Sequence, residues 1–76
     1  MSSVEPTPIT IRDEMIRLGQ FLQVAGVVDG GSDAKTLLAG GEVVVNGESE
    51  IRRGRQLRAG DEVEVEGFHL VVVSLA

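Results

Sequence analysis

Apolar and polar residues follow two different periods along this chain, and the change of period divides it. Ile9-Thr10-Ile11 alternates and predicts a short edge strand. Asp13 is placed to cap a helix. Met15, Leu18, Phe21, Leu22 and Ala25 then recur at spacings of three and four, which sets one apolar stripe against a core. Gly26 supplies the stop, and Val27, Val28 and Asp29 lead to a flexible Gly30-Gly31 connection. Ser32 is a natural N-cap and Asp33 suits the positive end of a second, short helix, whose inner face carries Ala34, Leu37 and Leu38. Gly40-Gly41 ends that helix, one glycine being available for the left-handed conformation. Two helices joined through glycines make a helix-turn-helix-like pair.

After Gly41 the period becomes two. Val43 and Val45 point one way and Val44 the other, and Asn46-Gly47 is the preferred pair for a type I′ hairpin turn. Ile51 and Leu57 are the apolar residues of the return, which is irregular around Gly54. Ala59-Gly60-Asp61 predicts another turn. Glu62 to Glu66 alternates strictly, with Val63 and Val65 inward and three glutamates outward, the signature of a half-solvated strand. Gly67 turns into His69 to Leu75, where Leu70 to Val73 form an unbroken apolar run expected inside the sheet. The pattern predicts an α+β fold: the helix pair packed on a small, mostly antiparallel sheet of four to five strands. Residues 1–8, polar and carrying both prolines, are expected to be a flexible arm, and residues 9–76 a single domain.

Composition narrows what such a fold does. Seventy-six residues bury a thin core, and the absence of cysteine removes disulfides and thiolate metal sites. No apolar run reaches the roughly 18 residues of a membrane helix, and the opening MSSVEPTPIT lacks the pattern of a secretory signal. A cytoplasmic protein with no membrane partner is expected. No Ser/His/Asp set, paired carboxylates or phosphate loop is present, and the single histidine, His69, on a strand next to Leu70, reads as a packing or surface residue, since a base needs a nucleophile and an orienting partner. The expectation is a non-enzymatic protein without cofactor or metal.

Charge alters the picture most. Twelve acids against seven bases give a net charge of −5, yet Arg52, Arg53, Arg55 and Arg58 lie in a stretch without an acid, and Lys35 stands near the start of the second helix. Charges on the far face of a small domain are largely screened, the Debye length being about 8 Å at physiological salt. Arginine's planar fork holds phosphate oxygens bidentately, so a local basic patch for a polyanion fits a two-faced domain. The alternative is a solvated turn whose arginines pair with Glu48, Glu50 or the glutamate strand. With only Phe21 and Phe68 aromatic, stacking platforms for splayed single strands are missing, which leaves recognition of the shape and backbone of a structured RNA.

Arg17-Leu18-Gly19-Gln20-Phe21-Leu22, Ser32-Asp33-Ala34-Lys35 with Leu37-Leu38, Gly41-Glu42-Val43-Val44-Val45-Asn46-Gly47 and Ala59-Gly60-Asp61 together resemble the ribosomal protein S-four-like RNA-binding domain, or alpha-L motif. The run from Glu50 to Arg55 further resembles its small stand-alone bacterial members. The resemblance covers Arg17 to about Glu66. It implies that the second helix and the following hairpin contact RNA, which carries over to Lys35, Arg52, Arg53 and Arg55, with Arg17, Gln56 and Arg58 as further candidates. Gly19 departs from the family's usual Asp, Gly31 stands where many members have a base, and Gln56 where small members have Lys. The implied partner is structured RNA of the ribosomal or transfer class, ribosomal particles included, bound by a monomer. The competing reading is a small acidic protein-interaction module of the ubiquitin-like sort with the acidic strand as its face. The terminal Ser74-Leu75-Ala76 lacks the Gly-Gly in which such carriers end, which disfavours a carrier but not a plain adaptor.

Overall fold

Residues 5–76 are described by a computed structural model. The chain opens with β1 (Thr7–Ile11), β2 (Met15–Arg17) and α1 (Leu18–Val24), followed by α2 (Gly31–Ala39). Then come β3 (Val44–Val45), β4 (Glu48–Ser49), β5 (Gln56–Arg58), β6 (Glu62–Val65) and β7 (Phe68–Ser74). Five strands form one sheet in the order β1-β7-β6-β3-β4, and β2 pairs with β5 in a separate two-stranded ribbon. The pairing is antiparallel throughout except between β1 and β7, which run parallel. The α+β class and the helix pair are as the sequence pattern predicts. Of the arm expected over residues 1–8, residues 1–4 lie outside the described residues, while Thr7 and Pro8 pair with Leu70 and Val71.

The core follows from the two periods. Phe21, Leu18 and Leu22 of α1 and Leu38 of α2 meet the inward row of the sheet, Val45, Val63, Val65, Leu70 and Val72, with Ile11 at its edge. Along β7 the alternation is stronger than its unbroken apolar run suggests. Leu70 and Val72 are buried while Val73 is exposed, although the strand is flanked on both sides as expected.

Three local expectations are corrected. The first helix does not start after Asp13. Residues 15–17 are extended instead, because β-branched Ile16 lies opposite Leu57 in the ribbon and both are buried there. Gly30, not Ser32, is the N-cap of α2, extended at φ −161°. Ser32 falls one residue inside the helix, where its carbonyl accepts the Thr36 hydroxyl at 3.1 Å. Ile51 is not part of the return with Leu57; it is exposed, because the hairpin return ends at Ser49 and a loop follows.

The turns match their residues. Asn46 and Gly47 both adopt positive φ, 50° and 87°, as a type I′ turn requires. Gly41 takes the left-handed position after α2 at φ 76°.

Candidate nucleic-acid interface

The candidate interface is built around the loop that joins β4 to β5. Helix α1 begins without a side-chain cap. Its first amides are instead taken by that loop: Leu18 N–H donates to the Arg55 carbonyl at 2.8 Å and Gly19 N–H to the Arg53 carbonyl at 3.0 Å. Orphan helix amides have to be satisfied somewhere, and here a distant segment supplies the acceptors. The close approach suits glycine at position 19, where an added Cβ would lie 3.4 Å from the Cβ of Arg53.

Glu50 anchors the other side of the loop. It is the one buried charged residue among those described, and its own amide is held by the Val43 carbonyl at 2.8 Å. Its carboxylate accepts from Arg52 three times, from the backbone N–H and from Nε to Oε2 and from Nη2 to Oε1, each at 3.0 Å. Arg55 Nη1 donates to Oε1 at 2.9 Å. Arg52's side-chain and backbone hydrogen bonds, then that of Arg55, hold the Glu50 carboxyl well below the usual carboxylate range, against the opposing effect of burial. Arg52 is raised in turn. Two of the predicted contact residues are thus ion-paired with a neighbouring glutamate, the arrangement set out above as the alternative for this cluster. Arg52 nevertheless stays 71% exposed, and two of its five side-chain N–H groups go to Glu50.

Arg53 points elsewhere. Together with Arg17, Gly19, Gln20, Gln23, Gly31, Ala34 and Gly54 it lines a cleft of about 400 Å³ between the loop, α1 and the start of α2. The Arg17 guanidinium lies over Gly54, 3.5 Å from where a Cβ would stand. Neither Arg17 nor Arg53 has an ion-pair partner among the described residues, and no carboxylate lines the cleft. Arg52, Gly54, Arg55 and Gln56 line a second hollow, so five of the seven predicted residues gather around Gly54. Gln56 is also the cross-strand partner of Arg17 in the ribbon, and Arg58 that of Met15.

Lys35 and Arg58 line neither hollow. Lys35, expected near the start of the second helix, is exposed in the second turn of α2, because the helix starts at Gly31. It stands four residues beyond Gly31 and so on the same helix face. Arg58 is fixed through its backbone, its N–H reaching Asp61 Oδ2 at 2.8 Å. Sequence reading passed over Gln20 and Gln23. Their signal was available: both fall off the apolar stripe of the first helix, on the side left to solvent.

The family model of the S4 domain matches residues 9–73. The chain belongs to the S4 domain family. Among relatives of this S4 domain is the Probable ribosome maturation protein RlbA of Bacillus subtilis (strain 168), 56% identical over 61 residues. That alignment covers 80% of this chain and 86% of the relative. The resemblance noted in the sequence is thereby established over residues 9–73, which take in both helices and all but the ends of the sheet. No helix among the described residues is long and apolar enough to cross a membrane.

Proposed function

We propose that this S4 domain is a non-enzymatic, ribosome-related RNA-binding protein that grips the backbone of a structured RNA at the cleft between α1, α2 and the 50–55 loop. The observation that carries the reading is the pair Arg17 and Arg53, two arginines without an ion partner among the described residues, converging on a cleft free of acids. Lys35 extends the positive surface along α2, and Arg52 offers its outward N–H groups from the adjoining hollow. Arg55, 31% exposed and bound to Glu50, acts mainly on the loop. The ribosomal association comes from the relative, a probable ribosome maturation protein, and directs the test toward ribosomal RNA.

Binding to ribosomal RNA fragments measured from 50 to 300 mM salt tests this. Two to four phosphate contacts give a log–log slope of roughly −2 to −4. Arg17→Ala/Arg53→Ala should flatten the slope by about two and weaken binding at every salt concentration. A flat dependence in the parent protein, or no loss in the double variant, refutes the proposal. Capture of protein partners that persists after ribonuclease treatment supports the adaptor reading in its place.

A further inference from the structure

We infer that the cleft receives one unpaired nucleotide of the bound RNA, its phosphate held by Arg17 and Arg53 and its base edge read by the side-chain amides of Gln20 and Gln23. The inference rests on the RNA-binding reading and adds to it the kind of RNA element that fits.

Shape is the first reason. The cleft, about 400 Å³ and at the lower end of small-molecule pocket volumes, is an open recess bounded by the loop, α1 and the start of α2. A base inside a duplex is stacked and paired and cannot enter such a recess. A bulged or loop nucleotide is already unstacked and enters at little cost. The floor is kept bare by Gly19, Gly31 and Gly54. A Cβ on each would meet, in turn, Arg53 Cβ at 3.4 Å, Gln23 Nε2 at 3.9 Å and Arg17 Nη1 at 3.5 Å. Side chains at these positions would take up part of the recess.

The wall chemistry is the second reason. Backbone recognition alone calls for cations, yet half of the polar side chains here are neutral amides. Gln20 and Gln23 lie three residues apart on α1, hence side by side, and neither side-chain amide makes a hydrogen bond among the described residues. Each amide carries donors and an acceptor together, the combination that pairs with a base edge, adenine's above all. No aromatic ring lines the cleft, and the planar guanidiniums of Arg17 and Arg53 supply the flat faces on which a base can lie.

The test uses the full chain and three synthetic RNA hairpins that share one stem: fully paired, with one bulged adenosine, and with one bulged uridine. Affinities are read across salt for the parent, Gln20→Ala/Gln23→Ala and Arg17→Ala/Arg53→Ala. The parent should prefer the adenosine bulge over the paired stem by about tenfold, the scale of one amide–base contact. The glutamine variant should lose that preference and keep the parent's salt slope, while the arginine variant weakens on all three RNAs with a flatter slope. Equal parent affinity for bulged and paired stems, or a preference that survives in the glutamine variant, overturns the nucleotide site and leaves backbone binding standing. Absence of salt-dependent binding to every hairpin overturns both. Both glutamines are exposed, so an unchanged melting temperature in their variant separates lost recognition from lost folding.

Discussion

Glu50 shows how much one side chain decides here. A glutamate between a two-residue strand and an arginine run reads as solvated, yet it is buried and accepts four hydrogen bonds from Arg52 and Arg55. Because its folded-state pKa is depressed, its stabilising contribution is complete above the ordinary value of 4.5 and is lost as pH falls below it. Glu50→Gln should therefore melt several degrees lower than the parent at pH 7, and the gap in Tm should narrow steadily from pH 4.5 downward. A gap independent of pH would mean that the carboxylate's charge does not matter. Asn46 is a second such residue. Its amide donates to Asp61 Oδ1 at 3.1 Å, its side-chain oxygen accepts from Glu62 N–H at 2.9 Å, and its φ is 50°. Asn46→Ala loses both bonds and places alanine in the left-handed region, a cost of about 1–3 kcal/mol in urea unfolding. Asn46→Gly, free of the conformational penalty, should cost less.

At the level of elements, the short ribbon of β2 and β5 is what fixes the loop to the helix. Ile16 and Leu57 are buried face to face in it, and the chain continues directly from β2 into α1, whose first amides end on the loop's carbonyls. First-turn helix amides usually exchange freely, since nothing within the helix accepts them. Those of Leu18 and Gly19 should instead be protected in hydrogen exchange to a degree comparable with the ribbon. Leu57→Ala removes a fully buried side chain at a cost of about 2–5 kcal/mol, and it should lower protection at Leu18 and Gly19 together with RNA affinity. Persistent protection at these two amides in that variant would show that the ribbon does not hold the loop.

Across the whole molecule, an acidic protein is asked to bind a polyanion, and the arrangement of charge makes that possible. Glu62 and Glu64 are exposed on the outer face of the sheet, and Glu62 meets His69 Nε2 at 2.7 Å there, while the cleft lies among the helices and the loop. The domain measures 34 × 27 × 20 Å, several times the Debye length of about 8 Å at physiological salt. Glu62→Gln/Glu64→Gln should thus leave RNA affinity within about twofold at 150 mM salt and raise it clearly at 10 mM, where screening extends to about 30 Å. An equal gain at both salt concentrations would place the glutamates close to the bound RNA.

The sequence by itself determined the class, the two helices, the turn glycines and the strand alternation, because these depend on local periodicity and on backbone angles that few residues tolerate. It also brought forward five residues that gather around Gly54. Only the tertiary structure decided where the first helix starts, since Ile16 becomes a strand residue by pairing with Leu57, forty-one positions away. It alone separated Arg53 from Arg52 and Arg55. Identical side chains in one loop differ only in which way the backbone turns them, and that is set by a buried carboxylate on one side and two helix amides on the other.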